Sequence, residues 1–121
     1  MDLRALIVDD SPHFLVAARG VLEREGITVV GVASTSEEAV RLAQGLQPDV
    51  ALVDINLGEE SGFDLARRLV EPGHHEPTQA VLISSYPEGD YADLIAESPA
   101  LGFLAKPDLS AGRIREILAA H

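Results

Sequence analysis

Five short apolar runs, each leading into a helical pattern, decide what this 121-residue chain can fold into. They are Leu3 to Val8, Ile27 to Val32, Val50 to Val53, Ala80 to Ile83 and Leu101 to Ala105. A strand with one solvated face alternates polar and apolar residues, whereas one buried on both faces reads as a continuous apolar run. The runs therefore predict a sheet covered on both sides. Helix signals lie between them. Ser11-Pro12 reads as an N-cap followed by a proline in the first turn. Phe14, Leu15, Ala18, Val21 and Leu22 then keep one stripe as far as Gly26, a glycine suited to the position just past a helix end. Ser34 to Glu38 offers two capping-box frames before Ala39, Val40, Leu42 and Ala43, with a stop at Gly45. Leu57 to Ser61 reads as a glycine-containing loop, and Gly62 to Val70 as a helix stopped by Glu71-Pro72-Gly73. Tyr91 to Glu97 reads as a short helix, and Ser110 caps a last one that turns Ile114, Ile117 and Leu118 inward. Five strands alternating with five helices predict an α/β fold: a doubly wound parallel sheet in three layers, with right-handed crossovers. The length fits one domain over residues 1–121, large enough to bury roughly two-thirds of the surface of its unfolded chain.

In such sheets ligands collect outside the carboxyl ends of the strands. Those ends carry Asp9-Asp10, Asp54, Ser84 and Lys106. Each has a plain structural account by itself. An aspartate after a strand caps a helix or forms a turn, a serine forms a turn, and a lysine before proline is a solvated stem. The combination is more specific than any member. Ionised carboxylates a few Å apart repel by roughly 1–4 kcal/mol per pair, depending on the effective dielectric. A hard dication with oxygen ligands offsets that, and two or three carboxylates plus waters suit Mg²⁺. Lys106 adds a fixed positive charge. A dication, an ammonium, a hydroxyl and a nucleophilic carboxylate are the parts of phosphoryl transfer, which needs positioning and electrostatic stabilisation above all.

Nine Lys+Arg against 20 Asp+Glu give a net charge of −11. No basic footprint for nucleic acid or for anionic lipid is available, and the balance favours small cations and partners with a basic face. There is no cysteine, so no disulfide framework and no thiolate chemistry, which fits a reducing compartment. No apolar run reaches the length of about 18 residues needed to cross a membrane. Met1-Asp2-Leu3-Arg4 lacks the order of a signal peptide, so the expected location is cytoplasmic.

Four segments are similar to the receiver domain of two-component response regulators, the chemotaxis-receiver type. They are Leu6-Ile7-Val8-Asp9-Asp10, Pro48-Asp49-Val50-Ala51-Leu52-Val53-Asp54, Ile83-Ser84-Ser85 and Phe103-Leu104-Ala105-Lys106-Pro107. Asp10 and Asp54 are 44 residues apart, Asp54 and Ser84 are 30 apart, and Ser84 and Lys106 are 22 apart, close to the family's spacing. The resemblance spans essentially the whole chain. It implies a flavodoxin-like sheet with strand order 2-1-3-4-5. It implies that Asp54 accepts a phosphoryl group from a histidine kinase or a histidine phosphotransfer protein. Mg²⁺ would be held by Asp10 directly, by Asp9 directly or through water, by Asp54, and by the backbone carbonyl of Asn56. Lys106 would pair with the phosphoryl group and Ser84 would hydrogen-bond it. Phe103 falls at the aromatic switch position, the alternative being an ordinary core ring. Ser85 fits a position that is usually small. Tyr86 stands where a side chain shapes water access, the alternative being a solvent-facing aromatic. Phosphorylation would remodel the face made by the fourth helix, fifth strand and fifth helix. The domain would catalyse only its own phosphorylation and slow dephosphorylation, not turnover of an external substrate.

The chain also departs from the pattern. Leu57-Gly58-Glu59-Glu60-Ser61-Gly62 replaces the common Met-Pro loop, so Gly58 is expected to loosen it, and Glu59 and Glu60 to add charge near the cleft. His74-His75 in a Pro/Gly segment is a poor metal pair, since no third ligand is near in sequence, and His13 is read as exposed. Glu88, Asp90, Asp93 and Glu97 make the fourth helix region acidic, while Arg113 and Arg115 lie on the last helix. That pattern argues against the family's usual salt-bridged dimer, leaving a reversed layout or a solvated acidic face, in a monomer or weak homodimer. The downstream partner is a protein target or a fused output domain, and no nucleic acid or membrane contact is expected. Three other readings stand beside this one. The chain could be the N-terminal receiver of a helix-turn-helix DNA-binding transcriptional regulator, since Ile27 to Val40 resembles receivers of that kind; the sequence ends inside or just after the last helix, so on this reading the output domain is absent from this chain, either cut off or never present. It could be a receiver-like binding module that is not phosphorylated, which the complete site residues oppose. It could be an acyl-phosphate hydrolase with Asp9 as nucleophile, which leaves the Pro48-to-Asp54 strand unexplained and lacks room for a cap.

Overall fold

The computed structural model describes residues 3–71, 77–86 and 88–120, with the side chain of Glu88 set aside. His74 and His75, and the proposed stop at Pro72-Gly73, lie outside the described residues. Five strands form one parallel sheet: β1 (Arg4–Val8), β2 (Thr28–Ala33), β3 (Val50–Asp54), β4 (Gln79–Ser84) and β5 (Gly102–Ala105). Their order is β2-β1-β3-β4-β5, as the resemblance implies. The helices are α1 (Pro12–Arg24), α2 (Ser36–Leu46), α3 (Gly62–Val70), α4 (Ala92–Glu97) and α5 (Ala111–Ala119).

The apolar runs are buried on both faces because the pleat sends alternate residues to two cores. Leu6, Val8, Ala51, Val53, Ala80 and Leu82 point to one side, where α2 and α3 supply Ala39, Ala43, Leu65 and Leu69. Ala5, Ile7, Val50, Leu52, Val81 and Ile83 point to the other, where α1 and α5 supply Ala18, Leu22 and Ile114. Every residue of β3 is buried, as expected of the central strand.

The caps follow the sequence closely. The hydroxyls of Ser11, Thr35, Ser61 and Ser110 accept from backbone N–H groups in the first turns of α1, α2, α3 and α5. Of the two frames before α2, Thr35 and Glu38 are the pair used. Gly26 follows α1 at φ 94°, a value that favours glycine.

Three local expectations are corrected. The stop at Gly45 falls one residue early: α2 runs to Leu46 and Gln47 takes the left-handed cap at φ 48°. There the Gln47 carbonyl accepts from the Arg4 guanidinium at 3.0 Å, a partner remote in sequence. The segment read as a loop holds a small antiparallel hairpin, Asn56–Leu57 against Glu60–Ser61. Gly58 is its turn residue at φ 63°, a conformation proline cannot adopt. The helix read from Tyr91 starts at Ala92, after a 3₁₀ turn over Glu88–Tyr91.

Candidate functional site

The carboxyl ends of β1, β3 and β5 bring Asp9, Asp10, Asp54 and Lys106 together. Asp9 follows β1 directly and is buried; its N–H donates to the Ala33 carbonyl at 3.0 Å. Its Oδ1 accepts from the Ser11 N–H at 2.8 Å. Asp10 is exposed at the mouth. Asp54 ends β3 and is buried, with Oδ1 accepting from the Asn56 N–H at 3.1 Å. Lys106 opens a 3₁₀ turn after β5 and reaches back into the cleft. Its Nζ lies 2.6 Å from Asp9 Oδ2 and 3.2 Å from Asp54 Oδ2. Asp9, Asp10 and Asp54 each place a carboxylate oxygen within 4.8 Å of the others.

Packing negative groups this closely has a readable cost. Burial raises the Asp54 pKa from 3.8 to about 6; the Asn56 N–H opposes this, the Asp9 charge adds to it and Lys106 works against it. For Lys106, burial alone would lower the pKa. The bond to Asp9 and the charges of both carboxylates outweigh it, and the ammonium is held above its ordinary 10.5. Asp9 Oδ2 is fully buried, and its one partner among the described residues is the Lys106 ammonium. A buried carboxylate oxygen beside two more carboxylates, with a single cation among the three, is a donor set that fits a hard dication such as Mg²⁺.

The other predicted residues lie around this centre. Ser84 ends β4, is buried, and its Oγ accepts from the Tyr86 N–H at 3.0 Å. Ser85 is exposed and lines a groove of about 410 Å³ between α1 and the turn after β5. Tyr86 is 55% exposed. Phe103 is half-buried and packs against the core on the α2–α3 side. Asn56 has an exposed side chain and contributes to the site through its backbone. His13 is exposed, as read.

Three residues carry roles that local pattern did not disclose. Phe14, read as one member of a helical stripe, places its ring under the Lys106 ammonium. Glu60 does not add its charge freely to the cleft: its Oε1 accepts from the N–H of Ser36, at the start of α2, at 3.0 Å. Gly62 opens α3 against β3, and its N–H donates to the Ile55 carbonyl at 2.9 Å. A Cβ at Gly62 would run into the carbonyl oxygen of Asp54 and come within 2.6 Å of Ile55 Cα. A glycine opening a helix eight residues past a strand-end aspartate is the signal that could have marked it.

The acidic region around α4 is exposed at Asp90, Asp93 and Glu97, and α4 has no buried side chain. On α5 the Arg115 guanidinium approaches the carbonyls of Glu25 and Gly26, each at 3.5 Å. Among the described residues no helix is long and apolar enough to cross a membrane.

Comparison with known proteins agrees with this architecture. The chain is 38% identical over 108 residues to "Protein-glutamate methylesterase/protein-glutamine glutaminase" of Archaeoglobus fulgidus, covering 88% of the chain and 30% of that protein. It is 31% identical over 103 residues to a "Putative transcriptional regulator" of Pseudomonas aeruginosa, covering 85% of the chain and 49% of that protein. The chain thus spans at most half the length of these relatives. Among solved structures, the signal receiver domain of a modulated diguanylate cyclase from Desulfovibrio desulfuricans G20 superposes with a TM-score of 0.79 at 34% identity, covering 98% of this chain and 93% of that one. The family model described as "Response regulator receiver domain" matches residues 5–119, and the chain belongs to that family, a signalling domain of two-component systems.

Proposed function

We propose that residues 1–121 form one phosphoacceptor receiver domain and that Asp54 is the acceptor. The observation that carries this is Lys106 Nζ bridging Asp9 and Asp54 beside a third carboxylate, Asp10. An Asp54 carboxylate oxygen attacks the phosphorus of a phosphohistidine on a histidine kinase or a phosphotransfer protein. The P–N bond breaks, the imidazole nitrogen keeps the electron pair and takes a proton, and an acyl phosphate remains on Asp54. Asp9, Asp10, Asp54 and the Asn56 carbonyl would hold Mg²⁺, which supplies charge neutralisation for the transferring oxygens. Lys106 supplies a second positive charge. Ser84 Oγ accepts from Tyr86, so its own O–H remains to donate to a phosphoryl oxygen.

The consequence is a shift between two states of the face made by α4, β5 and α5, read through Ser84 and Phe103. The domain does not turn over an external substrate, and it works in the cytoplasm as a monomer or weak homodimer. Its output lies in a protein target or a fused domain. A fused output is supported by the relatives, of which this chain covers 30% and 49%; the transcriptional regulator among them favours a DNA-binding output as the second reading.

The test is intact mass after incubation with Mg²⁺ and acetyl phosphate, beside Asp54→Asn. One phosphoryl adduct that needs both Mg²⁺ and Asp54 is the expected result. A folded, Mg²⁺-binding protein that takes no phosphoryl group from acetyl phosphate or from any phosphohistidine donor overturns it.

A further inference from the structure

Lys106 is not held by carboxylates alone. Its ammonium lies 4.4 Å from the centroid of the Phe14 ring, on the α1 side of the cleft. The ring's own place is set from Asp9. Asp9 Oδ1 accepts from the Ser11 N–H at 2.8 Å, and Ser11 Oγ accepts from the Phe14 N–H at 3.3 Å. Lys106 Nζ then returns to the other oxygen of the same aspartate, Oδ2, at 2.6 Å. Four residues close a circuit through one buried carboxylate.

The geometry points to Phe14 as a positioning residue for Lys106, its ring holding the ammonium over Asp54 by cation–π attraction. This rests on the acceptor role proposed for Asp54. A lysine has a flexible four-carbon stem, and two carboxylates attract its charge without fixing its direction. Those carboxylates are also the groups that a dication and a phosphoryl group engage. Of the three partners of the ammonium, the ring is the one that cannot ligate a metal, so its hold persists when the carboxylates are occupied. The Lys106 side chain is only 16% exposed, which places the contact in the desolvated range where such attraction is strongest. The ring thus keeps the positive charge beside the acceptor oxygen at the moment of transfer.

The test replaces Phe14 with phenylalanines carrying one, two and three ring fluorines, and separately with leucine. Fluorination weakens the negative face of the ring while nearly preserving its shape, so folding is not at stake. Two quantities are read: the rate constant of adduct formation with Mg²⁺ and acetyl phosphate, and the Lys106 ε-methylene proton resonances. A stacked lysine has these resonances shifted upfield by the ring, and the shift disappears in Phe14→Leu. The expected rates fall stepwise with fluorination, to about 3- to 10-fold below the unsubstituted protein, with Mg²⁺ affinity no weaker. Rates that stay level across the series overturn the positioning role, and so do ε-methylene resonances at ordinary positions. If the unsubstituted protein takes no phosphoryl group, the acceptor reading fails instead, and the ring contact is judged on the resonances.

Discussion

A carboxyl group with one oxygen on the Asn56 N–H and the other 3.2 Å from Lys106 Nζ would ordinarily titrate low. Asp54 does not, because burial dominates, and its pKa rises from 3.8 to about 6. The stability linked to this group is fully present below pH 3.8 and is lost as pH rises through about 6, since the folded state resists ionisation. Asp54→Asn keeps the shape and removes the titration. In a chelator and at pH 7 the variant is expected to be more stable than the parent by on the order of 2 kcal/mol. The gain should shrink toward nothing near pH 4, as read by urea midpoints across the range. A variant less stable than the parent at pH 7 would contradict the burial argument. The aspartates, Ser84 and Lys106 were legible in the sequence because each ends an apolar run, a local sign of position in a parallel sheet. Phe14 and Glu60 were not, because their partners Lys106 and Ser36 become neighbours only after the crossovers close; Gly62 was not, because its crowding against the Asp54 carbonyl depends on how the intervening hairpin folds.

The hairpin after β3 shows why element boundaries carry more than local propensity. Leu57 is buried, Gly58 takes the turn, and Glu60 on the return strand accepts from the N–H of buried Ser36. The hairpin that carries Asn56 is thereby tied to the N-terminus of α2, where a negative charge is also favoured by the helix dipole. Glu60→Ala leaves that buried N–H without an acceptor. It should cost about 1–2 kcal/mol in urea unfolding, whereas Glu60→Gln, which keeps a carbonyl oxygen in place, should lose less than half of that. Equal midpoints for Glu60→Ala and the parent would mean that the contact contributes nothing. From sequence, Glu59 and Glu60 read as two similar charges, since nothing local distinguishes a tethered glutamate from a free one. The end of α2 was misplaced for a related reason. A glycine is the usual terminator, but here Gln47 takes the left-handed cap, and its carbonyl accepts from Arg4, a partner remote in sequence. The strands were legible as continuous apolar runs, and the longer helices because their apolar stripes are periodic and their caps are local.

At the scale of the molecule, the continuous apolar runs foretold two cores and a covered parallel sheet. They could not order the strands, since a run buried on both faces carries no mark of its neighbour. That order came from the resemblance, through segments whose spacing only a receiver explains together. The same topology concentrates negative charge. A chain of net charge −11 brings Asp9, Asp10 and Asp54 to one rim, and Lys106 answers only part of that charge. Any salt should relieve general repulsion by screening, but only a bound dication should relieve the rim. Mg²⁺ at ten times its dissociation constant adds about 1.4 kcal/mol if it binds the folded state alone. For a domain of this size that is a rise of about 5–6 °C in the thermal midpoint. The increment should exceed that of sodium chloride at equal ionic strength. It should be largely lost in Asp10→Asn, a substitution at an exposed position that leaves both cores intact. If Asp10→Asn keeps the full Mg²⁺ increment over sodium chloride, the ion acts through the diffuse charge of the surface, and the rim formed by β1 and β3 is not its site.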